Sequence, residues 1–191
     1  AVIGTDHQAL RRMCEKKTDL PVLAVNTNGM ELYDAGERKA YLELFKAFAR
    51  EKLPVEAGKT GVLGMTPQDV SDLKAADKIR EKFRTRGDGL AEVKKSSSAE
   101  KNIVVSPAAL ECARYLEKTF GTPYEVGYPL AEELVPDMDY AGKKILIVQQ
   151  QVIAGAIRDE LRKRGADGEI TVASWFSMEK DLLEEGDVSL R

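Results

Sequence analysis

The amino-acid sequence predicts an α/β protein in which Rossmann-like parallel sheets are flanked by helices. Three observations predict this fold class. Short apolar runs alternate along the chain with longer amphipathic patterns. The apolar runs are continuous, as expected for parallel strands that are buried on both faces. Glycine, proline and capping residues separate the two patterns. Three successive strand–loop–helix groups therefore indicate parallel sheets with helical crossovers.

The first group occupies residues 1–57. It begins with the end of a strand, AVIGT, and continues with a helix, DHQALRRMCEKKT, that Asp6 would cap. The apolar run LPVLAVNT (20–27) predicts a buried strand, and NGMELYDAG predicts a loop. A strongly amphipathic helix, ERKAYLELFKAFAREK, follows, and LPVEAG reads as a linker. Four residues of this helix share one apolar face: Ala40, Leu44, Ala47 and Phe48.

The second group occupies residues 58–138. It contains a strand, TGVLGM, and a helix, TPQDVSDLKAADKIREKFRTRG, with Thr66 at its N-cap. The stretch GDGLAEVKKSSSAEK predicts a polar loop, and NIVVS predicts a strand. The helix PAALECARYLEKTFG begins at Ser106 and Pro107 and ends at Gly121.

The third group occupies residues 139–191. A strand, KKILIV, a helix that ends at Gly165, and a strand, EITVASWF, form one β-α-β unit. One irregularity precedes it: the segment after Gly87 does not form the expected strand, so a connecting strand is missing or the second group is abbreviated. The chain opens without Met and closes on a charged run, which suggests a segment of a longer protein.

Composition excludes several classes of function. The chain has 191 residues, of which 43% are hydrophobic and 32% charged, with a net charge of −3. This balance gives no electrostatic reason to expect a nucleic acid or an anionic membrane as partner. No apolar run approaches the roughly 20 residues of a membrane helix, so the sequence predicts a cytoplasmic protein. Two cysteines, Cys14 and Cys112, and one histidine, His7, are a poor basis for a metal site or a catalytic triad.

Polar groups at predicted strand ends are the candidates for chemistry, because ligands of open α/β sheets bind there. The sequence contains neither a GxGxxG loop nor a Walker A loop, which weakens a nucleotide site. Cys112 is interpreted as a buried small hydrophobe, and His7 as solvated or as facing the cleft at the strand ends. Gln149–Gln151 are interpreted as exposed polar residues, or as amides that bind an anion or a ring. Three further residues are interpreted as helix caps: Asp6, Thr66 and Ser106.

Four stretches, in order along the chain, carry a resemblance to one family. They are AVIGTD, PVLAVNTNGMELYDAGERKA, GVLGMTPQD, and the long run AEKNIVVSPAALECARYLEKTFGTPYEVGYPL followed by AGKKILIVQQQVIAGAIRDEL. Together they resemble the nitrogenase component 1 type of oxidoreductases. This superfamily includes the α and β subunits, cofactor-assembly scaffolds and dark-type chlorophyllide-reducing relatives.

The resemblance implies a fold, cofactors and partners. Family members have three Rossmann-like domains around a cleft; residues 1–57 would be the end of the first, 58–138 a shortened second and 139–191 the start of the third. The parent would be an oxidoreductase that holds an iron–sulfur cluster near a subunit interface and a metallocofactor or tetrapyrrole in the cleft. Its partners would be a homologous subunit, in a homo- or heterodimer, and an ATP-dependent, nitrogenase-like iron protein.

The same resemblance suggests which residues would line the cleft: Thr27, Asn28, Gly29, Met30, Met65 and Thr66. They would position a cofactor, because none is a good acid or base. Neither Cys14 nor Cys112 falls on a ligand position of the family. The fragment itself is therefore expected to retain no cluster and to be inactive.

Two other interpretations remain open at the level of sequence. The chain could be a non-catalytic module that assembles a cofactor or binds a partner, which the lack of thiolate ligands favours. It could also be a Rossmann-type binder of a small molecule or nucleotide, or a two-domain glycosyltransferase-like enzyme. The missing phosphate-loop glycines make this last interpretation weaker.

Overall fold

Two parallel three-stranded sheets organise the structure, a computed structural model that describes residues 6–27, 30–66, 70, 73–83 and 89–190. The first sheet has the order β1-β2-β3, from β1 (Glu56–Leu63), β2 (Ala99–Val104) and β3 (Tyr124–Val126). The second has the order β4-β5-β6, from β4 (Ile145–Val148), β5 (Ile170–Ser174) and β6 (Val188–Ser189). Every pairing is parallel. The predicted α/β fold class is confirmed.

Helices flank these sheets. In chain order they are α1 (His7–Glu15), α2 (Tyr33–Phe48), α3 (Leu73–Phe83), α4 (Leu90–Lys94), α5 (Leu110–Phe120), α6 (Ala131–Leu134) and α7 (Gln151–Lys163). No helix in the described part of the chain combines the length and the hydrophobicity needed to cross a bilayer.

Several predicted helix ends are confirmed by their hydrogen bonds. The Asp6 carboxylate accepts a hydrogen bond from the Ala9 N–H at 2.9 Å, which caps α1. The Ser106 hydroxyl accepts one from the Ala108 N–H at 3.2 Å. Gly121 ends α5 with φ 76°, a left-handed conformation that glycine adopts without the cost of a β-carbon.

The central strand of the first sheet, β2, is covered on both faces. Because side chains alternate along a strand, Val104 faces one side of β2 and Ile103 the other. Val104 packs with Phe45 of α2 and Leu116 of α5. Ile103 packs with Ile79 of α3. The continuous apolar run NIVVS is explained by this double coverage.

The second sheet is covered mainly on one face. Ile147 and Val172 pack against Leu161 of α7. On the opposite face, Leu146 of β4 is 64% exposed and Val188 of β6 is 46% exposed. The amphipathic helix α7 accounts for the buried face, and the β4–β5 pairing confirms the predicted parallel β-α-β unit.

Some sequence-based predictions are wrong. The run 20–27 forms no strand: it has no strand partner among the described residues, and Leu20 is 74% exposed. An apolar run becomes a strand only where a neighbour pairs with its backbone. The predicted polar loop contains α4 and the start of β2, and the predicted linker contains the start of β1.

The long helix α2 also differs from its prediction. It begins at Tyr33, inside the predicted loop, and its buried face is rotated. Ala40 is exposed, whereas Phe45 and Ala49 are buried. The stacked rings of Tyr41 and Phe45, with centroids 5.1 Å apart, present more apolar surface to the core than the alanines do. The predicted AVIGT strand (1–5) and the segment 84–88 lie outside the described residues.

Candidate functional site

The first predicted cleft segment lies before α2. Thr27 is half-buried beside the start of that helix, where a β-carbon on Gly36 would lie 3.5 Å from Thr27 Cγ2. Met30 is 91% exposed. Asn28 and Gly29 lie outside the described residues. Thr27 therefore packs beside α2, whereas Met30 lies at the surface.

The second predicted segment follows β1. Met65 is half-buried and packs against the apolar cluster around Ile79. Thr66 is also half-buried, and its carbonyl accepts a hydrogen bond from the Val70 N–H at 3.1 Å. This carbonyl bond spans one helical turn, which agrees with the predicted helix start at Thr66.

The glutamines at the end of β4 are largely structural, and their predicted exposure is wrong for two of them. Gln150 is fully buried. Its Nε2 donates to the Val105 carbonyl at 2.6 Å, and its Oε1 accepts from the Val152 N–H at 2.8 Å, which caps α7. Gln151 exchanges two hydrogen bonds with the backbone of Glu179. The side-chain amides of Gln150 and Gln151 therefore both form hydrogen bonds within the protein.

Sequence reasoning missed a cavity of about 300 Å³ that lies between α2, β1 and α4. Its wall is mostly apolar, and Met65, one of the predicted cleft residues, contributes to it. The polar side chains in the wall include Lys59, Thr60 and Asn102. Apolar side chains from all three elements complete it: Tyr41, Leu44, Phe45, Val62, Leu63 and Leu90.

A pair of residues on neighbouring strands opens this cavity. Gly61 of β1 lies opposite Asn102 of β2 in the parallel register. A β-carbon on Gly61 would lie 2.2 Å from Asn102 Oδ1, a distance that real β-carbons do not reach. The missing side chain at Gly61 therefore makes room for the Asn102 amide and leaves space beside the edge strand.

Asn102 is the unusual group of the cavity. It is 1% exposed, and its Nδ2 has no hydrogen-bond partner among the residues that the structure describes. A buried amide without a partner costs free energy, because it loses its hydrogen bonds with water. The sequence does hold a signal for it: Asn102 is a polar residue at the start of the otherwise apolar predicted strand NIVVS, whose other polar residue, Ser106, is assigned to a helix cap.

Lys59 supplies a cation at the cavity wall. Its side chain is 14% exposed, and its Nζ lies 3.3 Å from Glu56 Oε1 and 3.5 Å from Ser98 Oγ. The Glu56 side chain is 45% exposed, so water competes for its half of the ion pair. The ammonium of Lys59 and the amide of Asn102 are thus both part of a cavity wall that is largely apolar.

The thiols do not fit an iron–sulfur cluster. Cys112 is completely buried in the apolar cluster beneath α5, and this burial raises the pKa of its thiol, which disfavours the thiolate that binds iron. Cys14 is exposed on α1. Among the described residues, no group of three or more His, Cys, Asp or Glu side chains lies close enough together to hold a metal ion.

Comparison with solved structures finds a known protein with a similar fold. The structure titled "Nitrogenase Cp1 at pH 6.5" matches with a TM-score of 0.57 and 14% sequence identity. The match covers 98% of this chain and 56% of that chain, so the present chain spans little more than half of the solved one. At this identity the likeness concerns the fold alone.

Comparison of sequences identifies the family. No curated protein matches this chain. The model of the nitrogenase component 1 type oxidoreductases, however, matches residues 1–130 of the 191. Since this match covers well over half of the sequence and agrees with the fold, the chain belongs to the nitrogenase component 1 type oxidoreductase family.

Proposed function

We propose that this chain is part of a nitrogenase component 1-like oxidoreductase subunit. The parent protein would bind an iron–sulfur cluster and a metallocofactor or tetrapyrrole, and it would receive electrons from an ATP-dependent iron protein. The family match over residues 1–130 is the observation that carries this proposal. A homologous partner subunit and a cytoplasmic location belong to the same proposal.

The proposal assigns a part of the parent to each third of the chain. Residues 1–57 would end a first Rossmann-like domain, 58–138 would form a shortened second, and 139–191 would start a third. The predicted cleft residues would orient the cofactor through backbone and side-chain contacts, since none is a strong acid or base: Thr27, Asn28, Gly29, Met30, Met65 and Thr66.

In this proposal the described residues contribute framework, and the cluster ligands come from elsewhere. The buried thiol of Cys112 and the isolated, exposed thiol of Cys14 support this division. The cluster, where bound, would supply the redox chemistry. The residues of this chain would position it and limit the access of water.

Anaerobic expression tests the proposal. The 191-residue chain and the longer reading frame expected to contain it would be reconstituted in parallel with ferrous iron and sulfide. We expect bound iron and a thiolate-to-iron charge-transfer absorption in the longer product, and neither in the 191-residue chain. An iron-free longer product would overturn the cofactor proposal. Stoichiometric iron in the 191-residue chain would overturn the assignment of the ligands to other residues.

A second candidate function is a non-catalytic scaffold for cofactor assembly, or a partner-binding module. The same absence of a fitting ligand set among the described residues favours it. The longer product separates the two functions. An oxidoreductase would be reduced by an iron protein with ATP, whereas a scaffold would release a metallocofactor precursor to an acceptor and take up no electrons.

A further inference from the structure

We propose that the cavity between α2, β1 and α4 is a binding site for a small organic carboxylate with an apolar body. The site shares Met65 with the residues proposed to orient the cofactor, but the argument for it does not depend on that cofactor function. The argument rests on the size of the cavity, its wall, the unpartnered amide of Asn102 and the ammonium of Lys59.

The size of the cavity sets the size of the ligand. A volume of about 300 Å³ is at the lower end of the range for small-molecule sites. A cavity of about 150 Å³ lined by aliphatic and aromatic side chains holds benzene. The present cavity therefore has room for one ring, or a branched aliphatic group, and a short polar substituent.

The apolar part of the wall determines the body of the ligand. Tyr41 and Phe45 of α2 form a stacked pair on one side, and Leu90 of α4 and Val62 of β1 contribute further apolar surface. Burial of apolar ligand surface against such side chains is favourable at roughly 25 cal/mol per Å². A ligand that is polar throughout would lose its hydration without compensation.

The polar part of the wall determines the substituent. Rotation of the Asn102 amide by half a turn about χ2 exchanges its oxygen and nitrogen with little change in shape, so the amide can present N–H donors to the cavity. Lys59 adds a cation in the same wall, and its carboxylate partner Glu56 is half exposed to solvent. A ligand carboxylate would accept hydrogen bonds from both groups, and such charge-assisted bonds are among the stronger ones in proteins.

Net charge does not decide the class of ligand. The wall contains Lys59, Lys95 and Glu92, and Glu56 pairs with Lys59, so cations and carboxylates are equal in number around the cavity. The preference for a carboxylate therefore rests on the contacts that Lys59 and Asn102 would make with it.

Titration of the 191-residue chain with three matched probes tests this inference. The probes are phenylacetate, phenylacetamide and ethylbenzene, which share a ring and differ in the substituent. We expect phenylacetate to bind with a Kd of about 1 mM or below, at least about tenfold tighter than ethylbenzene, by protein-observed NMR. Phenylacetamide should bind with intermediate affinity.

Variants assign the selectivity to the two polar groups. Lys59→Met and Asn102→Leu should each weaken phenylacetate about tenfold and leave ethylbenzene unchanged or tighter. Lys118→Met, on the exposed face of α5, is the control and should change neither. Gly61→Ala should weaken all three probes, since its β-carbon displaces the Asn102 side chain. Equal binding of the three probes, no binding of phenylacetate, or unchanged selectivity in Lys59→Met and Asn102→Leu would overturn the proposal.

Discussion

Single glycines fix the junction between β1 and the helices packed against it. Gly64 has φ 86°, and a β-carbon there would lie 2.9 Å from Ser106 Cβ and 3.0 Å from Ala109 Cβ. Gly58, at the irregularity in β1, has a similar φ of 75° but no atom within 4 Å of such a β-carbon. The two positions share a left-handed backbone conformation, which glycine adopts without strain, and differ in the space available to a β-carbon.

We therefore expect Gly64→Ala to lower the free energy of unfolding more than Gly58→Ala does. Both variants incur about 1–2 kcal/mol for a left-handed residue with a β-carbon, and Gly64→Ala adds about 1–3 kcal/mol for overpacking. Urea denaturation of both variants measures the difference. Equal losses would mean that the contacts around Gly64 relax without cost.

Asn102 is a position where function and stability are expected to oppose one another. Its buried Nδ2 lacks a partner in the described part of the chain, so the amide carries a desolvation cost. We expect Asn102→Leu to raise the free energy of unfolding by about 1–3 kcal/mol, because it removes the buried polar group and fills the same space. Urea denaturation without ligand measures it, with Asn102→Asp as a control that should be destabilised by a buried charge. A less stable Asn102→Leu would show that the amide is satisfied in solution.

At the scale of elements, a buried ion pair ties the end of the chain to α7. The side chains of Arg158 and Asp187 are 3% and 1% exposed, and Arg158 Nη1 lies 2.7 Å from Asp187 Oδ1. The Asp187 carboxylate also accepts hydrogen bonds from the N–H groups of Val172 and Glu184, each at 3.0 Å. One carboxylate thus joins a helix, a strand and the turn before β6.

Asp187→Ala is expected to lower the free energy of unfolding by about 3–5 kcal/mol, because it leaves the buried Arg158 guanidinium with only the half-exposed Glu184 carboxylate, 3.2 Å from its Nε, and removes the acceptor of two backbone N–H groups. Glu185→Ala, an exposed carboxylate two residues away, is the matched control and should change it by less than about 0.5 kcal/mol. Thermal denaturation of the two variants compares them. A small effect of Asp187→Ala would mean that the turn opens to water.

The neighbouring ion pair between Arg162 and Glu184 predicts that the free energy of unfolding depends on pH. The hydrogen bond from Arg162 holds the pKa of Glu184 below its usual value, despite the opposing effect of desolvation. A carboxyl with a depressed pKa in the folded state contributes stability above its unfolded pKa, and this contribution is lost as the pH falls through the folded pKa. The contribution is small, because the Glu184 side chain is 40% exposed.

Arg162→Gln should remove this contribution. We expect the difference in unfolding free energy between wild type and Arg162→Gln to be largest near neutral pH and to shrink between about pH 6 and about pH 3. Urea denaturation across this range measures it. A difference that grows on acidification would contradict the assignment to Glu184.

What could be predicted from the sequence depends on whether the signal is local. The helix caps at Asp6 and Ser106 and the helix end at Gly121 depend on residues that are close in the sequence. The sequence therefore predicts them correctly. The run 20–27 was predicted wrongly, because pairing depends on a distant partner strand. The cavity was missed for the same reason, since it arises where Gly61 meets Asn102 across two strands.

At the scale of the whole molecule, hydrogen bonds and ion pairs join the two sheets. Gln150, after β4, donates to the Val105 carbonyl at the end of β2. The Asp34 carboxylate of α2 accepts a hydrogen bond from the Ser177 N–H beyond β5. Arg38 of the same helix forms an ion pair with Glu179 at 2.5 Å. These contacts together form a polar joint between the two sheets, which is buried at Gln150 and Asp34 and partly exposed at Arg38 and Glu179.

Gln150 is the part of this joint that a single substitution tests most directly. Gln150→Ala removes the cap of α7 and leaves the Val105 carbonyl without its amide donor. Together these losses should lower the free energy of unfolding by about 2–4 kcal/mol. Because the second sheet is small and covered mainly on one face, it should also unfold before the first once the joint is weakened.

Two probes reveal this loss of cooperativity. Trp175, the only tryptophan of the chain, follows β5 and reports on the second sheet, whereas far-UV circular dichroism reports on all helices and strands. We expect the two urea transitions to coincide in the wild type, and the fluorescence transition to occur at lower urea in Gln150→Ala. Gln149→Ala is the matched control, because Gln149 Oε1 accepts a hydrogen bond from the adjacent Gln150 N–H and makes no side-chain bond to the first sheet within the described residues. Its two transitions should stay coincident. Coincident transitions in Gln150→Ala would mean that the contacts of Asp34 and Arg38 suffice to keep the two sheets one cooperative unit.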